Sequence, residues 1–201
     1  MSEQTVFIID DDEAVCDSIQ ELVNSVKLRA EAFRSAQEFL DVFDAARPGC
    51  LVLDMRMARM SGLALQAKLA EIGAEIPIVF ISGHGDIATA VTAVKAGAVD
   101  FVQKPYHAQQ LLDAVNEALR RDAAQRAAKS ESKNFAARLD ALTDRERDVM
   151  ALAMKGLSSK LIAKQLGISH RTVELHRSRL LEKLGAASMT ELISQGHERP
   201  S

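Results

Sequence analysis

The chain has 201 residues, 47% hydrophobic and 26% charged but only 4% aromatic, with no tryptophan. That length suits one standard domain plus a small one, with a core of Leu, Ile, Val and Ala rather than aromatic rings. The net charge of −3 divides unevenly: residues 1–125 carry 11 Lys/Arg against 19 Asp/Glu, a balance of −8, while residues 126–201 carry 14 against 9, a balance of +5. No apolar run approaches the roughly 20 residues of a membrane helix, and Met1–Thr5 lacks the basic and apolar segments of a signal peptide, so no membrane partner and a cytoplasmic location are expected.

The first 120 residues alternate between two periodicities. Short apolar runs predict strands at Thr5–Ile9, Leu28–Phe33, Cys50–Leu53, Ile76–Ile81 and Val99–Val102. Amphipathic stretches of helical spacing lie between them. Val15, Ile19, Leu22 and Val26 mark the first. Ser35 and Glu38 form a capping-box pattern before Phe39 and Leu40. Leu63, Leu65 and Leu69 mark a third helix. Ile87, Val91 and Val94 mark a fourth, ending at Gly97, and Leu111, Leu112, Val115 and Leu119 a fifth. Five strands alternating with five helices predict a doubly wound α/β domain with a parallel sheet covered on both faces. Cys16 and Cys50 fit no metal or redox spacing and read as reduced, buried thiols.

The second half has no strand signal. Residues 121–140 are rich in Ala, Lys, Arg, Ser and Glu and predict a helical extension running into a linker. Thr143 and Glu146 then supply a capping box. Helical patterns follow at 145–155, 159–166, 170–184 and 189–195, punctuated by Gly156, Gly167 and Gly185. This predicts a small all-α module, with a frayed tail at 196–201.

In a doubly wound sheet, chemistry gathers at the carboxyl edge of the strands. The first strand exits into Asp10-Asp11-Asp12, the third into Asp54, the fourth into Ser82-Gly83-His84 and the fifth into Lys104-Pro105. Any one of these acids alone is ordinary turn chemistry; their convergence on one edge is not. Clustered carboxylates repel and call for a cation, and hard oxygen ligands suit Mg²⁺. A carboxylate facing a lysine, a hydroxyl and a divalent ion is equipped to attack phosphorus.

Residues 4–121 resemble the response-regulator receiver family. The resemblance rests on Ile8-Ile9-Asp10-Asp11, Leu53-Asp54-Met55-Arg56-Met57 with Ser61-Gly62, Ser82-Gly83-His84-Gly85-Asp86, and Ala96-Gly97-Ala98-Val99-Asp100-Phe101 with Lys104-Pro105. It implies sheet order 2-1-3-4-5, Asp54 as phosphoacceptor, and Mg²⁺ held by Asp10, Asp11, Asp54 and the backbone carbonyl of Arg56. It further implies that Ser82 and Lys104 contact the phosphoryl group, that Phe101 is the aromatic switch, and that the Lys104–Pro105 peptide is cis. Asp12 reads as a helix cap or an outer charge. The sequence departs from the family at Ala58, where proline is usual; losing it frees the loop beside Asp54.

The segment Leu157 to Ser169 reads helix, turn, helix. Ser158 and Ser169 are placed to cap, Gly167 to turn, and Leu161, Ile162, Leu166, Ile168 and Val173 to be buried. With Thr143-Asp144-Arg145-Glu146 and Arg171-Thr172-Val173-Glu174-Leu175-His176, residues 138–195 resemble the LuxR-type DNA-binding domain. Receiver plus this domain is the NarL/FixJ architecture, and Thr172-Val173-Glu174-Leu175-His176-Arg177 resembles its FixJ branch. By position Glu174, Leu175 and Ser178 are read as facing bases, and Arg171, Thr172, Arg177 and Lys183 as positioning phosphates. His176 has two readings, internal packing or a phosphate contact.

The resemblance thus predicts a receiver at 1–121, a helical linker at 122–140 and a DNA-binding domain at 141–201. It implies a transcription regulator rather than an enzyme. Its partners would be a sensor histidine kinase, a double-stranded DNA operator and, after phosphorylation, a second copy docked through the fourth helix and fifth strand. Two rivals stand beside it. One is a phosphatase of the haloacid-dehalogenase type, with Asp10 as nucleophile and Asp12 as acid/base, but no late acidic pair follows Lys104-Pro105 and no cap insertion is present. The other, suggested by Ala58, is a DNA-binding regulator indifferent to phosphorylation.

Overall fold

A computed structural model of the chain describes residues 4–83 and 87–192, with side chains omitted at 87–90. It divides into two compact units, residues 1–127 and 128–201. The first unit alternates β1 (Thr5–Ile9), α1 (Glu13–Ser25), β2 (Arg29–Phe33), α2 (Ala36–Val42), β3 (Gly49–Asp54), α3 (Gly62–Glu71), β4 (Ile78–Ser82), α4 (Ile87–Lys95) and β5 (Asp100–Gln103). Then α5 (Ala108–Asp140) runs across the division into the second unit, which holds α6 (Asp144–Met154), α7 (Ser159–Leu166) and α8 (His170–Leu184). The predicted helix at 189–195 is described only to residue 192. His84 and the tail lie outside the described residues.

The five strands form one parallel sheet in the order β2-β1-β3-β4-β5. All residues of β1, β3 and β4 are buried, which is why they read as continuous apolar runs rather than alternating ones. Alternate side chains serve opposite faces. Val6, Ile8, Val52 and Val79 meet Ile19 and Val23 of α1 and Leu111 and Val115 of α5. Phe7, Ile9, Leu53 and Phe80 meet Phe39 of α2, Leu65 and Leu69 of α3, and Ala93 of α4.

Polar groups fix where helices begin. Asp12 accepts the Ala14 N–H at the start of α1, so the third acid of the first triplet is a helix cap. Ser35 accepts the Glu38 N–H, but Glu38 takes the N–H of Arg34 instead of returning to Ser35. The predicted reciprocal box is therefore displaced by one residue. At α6 the box is complete, with Thr143 and Glu146 each accepting the other's backbone N–H. Gly62, the first residue of α3, sits where a Cβ would lie 2.5 Å from the Asp54 carbonyl oxygen. Only glycine lets this helix start so close to the end of β3.

Some residues that mark the helices by their spacing lie on exposed faces. Val26 ends up 45% exposed, and Val91 and Val94 are about half exposed on α4. Ala93 of the same helix is fully buried. Past Leu119, Asp122 is buried and accepts the Gly49 N–H and Arg126 Nε. Arg126 in turn donates to the carbonyls of Ala45, Ala46 and Arg47. These bonds tie α5 to the loop before β3. Cys16 and Cys50 are buried and unpaired.

Candidate functional site

Because β1 and β3 are neighbours with Ile9 opposite Leu53, Asp10 and Asp54 come to the same sheet edge. The sheet order reverses here, which opens a crevice at the carboxyl ends of the strands. Lys104, just beyond β5, reaches across it. Its ammonium lies 2.8 Å from Asp10 Oδ2 and 2.8 Å from Asp54 Oδ1. The remaining oxygens are also engaged: Asp10 Oδ1 accepts the Asp12 N–H at 3.0 Å, and Asp54 Oδ2 accepts the Arg56 N–H at 2.7 Å. Ser82 is buried at the end of β4 and its carbonyl accepts the Lys104 N–H. The Lys104–Pro105 peptide is cis. Phe101 is partly buried against the α2–α4 face of the core.

Burial pushes the Asp54 carboxyl above the usual range, Asp10 adds repulsion, and the Lys104 ammonium only partly offsets them. Burial works against the charge of Lys104, but its bonds to the two carboxylates outweigh that and hold the ammonium above its ordinary value. Partial desolvation favours nucleophilic attack by a carboxylate, and the ammonium beside it can stabilise negative charge added to the site.

Asp11 is placed differently. It is exposed, and its Oδ2 accepts the Ala58 N–H at 2.8 Å. As arranged, the three acids do not converge into a metal-holding group, and no other such group occurs among the described residues. The donor chemistry nevertheless fits Mg²⁺: the candidate ligands are all hard oxygens, and the exposed Asp11 side chain is free of packing that would prevent it turning.

In the second unit, α7 and α8 are joined by Gly167 in a left-handed conformation, φ 65°. Ser169 caps α8 through the Thr172 N–H, and the two hydroxyls lie 2.8 Å apart. Ser158 occupies the N-cap position of α7 without a side-chain bond, contrary to expectation. Ile162, Val173, Leu180 and Leu184 form the buried core with Val149 of α6. Leu161, expected there, is 55% exposed. Arg171, Glu174, Leu175 and Ser178 are exposed along α8.

The chain is similar to known proteins over nearly its whole length. Residues 6–116 match the response regulator receiver domain, and residues 140–195 match the bacterial regulatory proteins of the luxR family. It is 46% identical to the transcriptional regulatory protein TdiR of Thauera aromatica over 189 residues, covering 94% of this chain and 83% of TdiR. The chain belongs to the NarL/FixJ family of response regulators. It is also 40% identical to the transcriptional regulatory protein FixJ of Bradyrhizobium diazoefficiens, over 94% of this chain and 92% of FixJ. Among solved structures, the response regulator StyR matches with TM-score 0.88 and 40% identity, over 98% of this chain and all of StyR. This response regulator therefore joins a receiver to a LuxR-type DNA-binding domain and is a transcription regulator of the two-component kind, not a typical enzyme. A kinase and DNA are the partners its two domains imply. Among the described residues no helix is long and apolar enough to cross a membrane.

Against that background, two basic residues of the regulator's α8 are already engaged within the unit. Lys183, read as a phosphate contact, donates to buried Glu146 at 2.7 Å and to the Ala141 carbonyl at 3.1 Å, so its ammonium is turned inward. Arg177 donates to the hydroxyl of buried Ser159 at 2.6 Å. Burial would raise Glu146, but the Lys183 bond and the bonds from Thr143 outweigh it and hold its pKa at about 2. His176 is half-buried, with Nδ1 shielded and without a hydrogen-bond partner among the described residues. Sequence reasoning missed the Glu146–Lys183 pair because its members lie 37 residues apart; the capping box at Glu146 was the signal that this carboxylate turns inward.

Proposed function

We propose that Asp54 accepts a phosphoryl group from a histidine kinase, and that this event drives self-association and operator binding. The observation that carries the reading is the Lys104 ammonium set between Asp10 and Asp54 at 2.8 Å from each. An Asp54 carboxylate oxygen attacks phosphorus as the phosphorus–nitrogen bond of the kinase phosphohistidine breaks, and the electron pair leaves with the imidazole. Lys104 turns from the Asp54 carboxylate to the new phosphoryl oxygens, Ser82 donates its hydroxyl to one of them, and Phe101 turns inward. Asp10, Asp11, Asp54 and the Arg56 carbonyl would hold Mg²⁺, which supplies charge neutralisation on the transferring group. Incubation with acetyl phosphate is expected to retard the wild-type chain on a phosphate-affinity gel and to leave Asp54→Asn unshifted. Equal retardation of the two would exclude Asp54.

The same reading assigns residues 1–121 to the receiver, 122–140 to a helical linker and 141–201 to the DNA-binding domain, in a cytoplasmic protein. Exposed Val91 and Val94 on α4 supply apolar surface for a dimer contact through α4 and β5. A dimer would present two copies of α8 to two half-sites. Glu174, Leu175 and Ser178 face bases, with Glu174 suited to accept from cytosine. Arg171, Thr172 and Arg177 contact phosphates, Arg177 after exchanging Ser159 for DNA. Operator affinity of the phosphorylated protein should fall steeply with salt, and Arg171→Ala should lower the salt slope by about one phosphate contact without altering sequence preference. Titrations of labelled operator by anisotropy at several salt concentrations measure this; an unchanged slope would remove Arg171 from the contact set.

A further inference from the structure

The regulator's departure from its family at residue 58 touches the acidic cluster directly. The Ala58 N–H donates to Asp11 Oδ2 at 2.8 Å. Proline has no N–H, so this bond exists only because residue 58 is not proline. The donor is held in place by a closed loop. Gly62 N–H bonds the Met55 carbonyl, Met60 N–H bonds the Ala58 carbonyl, and Arg59 takes a left-handed φ of 70°. Asp11 is thereby directed toward this loop, while Asp10 and Asp54 are linked to each other through Lys104.

We propose that the Ala58 N–H is a latch on Asp11 that competes with the divalent cation for its carboxylate, so that residue 58 sets metal affinity and, through it, the readiness of Asp54 for phosphorylation. The proposal rests on the reading of Asp11 as a Mg²⁺ ligand. An amide bond to a carboxylate is charge-assisted and stronger than a neutral one. Turning Asp11 toward a cation gives that bond up, and water replaces it because the contact is exposed. The penalty is therefore modest and tunable, which suits a device that weakens metal binding without removing a ligand.

The test compares Mg²⁺ binding by calorimetry in the full chain for wild type, Ala58→Pro and Ala58→Gly. Ala58→Pro removes the donor, and Ala58→Gly keeps it while loosening the loop. The expected result is about threefold to tenfold tighter binding for Ala58→Pro, as loss of one competing hydrogen bond implies, and no tightening for Ala58→Gly. A second readout separates the latch from loop stiffness: the Ala58 amide of the wild type, followed by NMR, should lose protection from hydrogen exchange as Mg²⁺ saturates. Equal affinity of Ala58→Pro and wild type overturns the proposal. So does equal tightening in both variants, or an Ala58 amide whose protection does not change. If none of the three chains binds Mg²⁺, the metal reading of Asp11 fails and the latch falls with it.

Discussion

Glu146→Ala is expected to destabilise the DNA-binding unit by about 2–3 kcal/mol, the range for breaking a buried, hydrogen-bonded ion pair whose surviving partner can still reach water. Glu146 is 2% exposed. One carboxylate oxygen, Oε2, accepts from both Lys183 Nζ and the Thr143 N–H. The substitution therefore removes half of the capping box and the internal partner of α8 together, loosening the hold of the candidate recognition helix on α6. The pH dependence has a defined sign. The folded-state pKa of about 2 lies below the ordinary value of 4.5. The contribution is thus fully present above about pH 4.5 and is lost as pH falls toward 2. Hydrogen exchange read peptide by peptide should show faster exchange across α6 and α8 in Glu146→Ala and Lys183→Met, with β1 to β4 unchanged as an internal reference. Unaltered exchange in α6 and α8 would mean that the pair is dispensable.

Lys104→Met is expected to slow phosphorylation by acetyl phosphate about 100-fold at neutral pH, the scale for removing one preorganised charge from a transferring group. The substitution also leaves Asp10 and Asp54, 3% and 7% exposed, facing each other without a cation. Burial already raises the Asp54 carboxyl, and loss of the ammonium raises it further. The fraction of ionised nucleophile, and hence the rate, should then climb with pH more steeply in the variant than in the wild type. Lys104→Arg, which retains the charge, should recover part of the rate. A variant with the wild-type rate and the wild-type pH profile would show that Lys104 is not needed at this site.

Periodicity in the sequence carries the sheet and the helices between its strands. The apolar runs of β1, β3 and β4 are legible because both faces of those strands are covered, and the acids that end β1 and β3 fall at the sheet edge by register alone. What spacing cannot encode is which way a marginal side chain turns. Val91, Val94 and Leu161 obey helical spacing yet are about half exposed, while their neighbours Ala93 and Ile162 are buried. Lys183 looks like any basic residue on an exposed helix until the fold brings Glu146 beneath it. Ser158 has the right residue type for a cap and the right position, but its hydroxyl does not make the bond. Ala58 is legible only as a missing proline; that its N–H is received by Asp11 depends on a contact between residues 47 positions apart.

The central claim is that Asp54, and no other acid of the cluster, carries the phosphoryl group. Borohydride reduction of the acetyl-phosphate-treated protein converts an aspartyl phosphate to homoserine, and tandem mass spectrometry then locates it. The account predicts homoserine at position 54 alone, with none in the Asp54→Asn protein. Homoserine at position 10, 11 or 12 would contradict it.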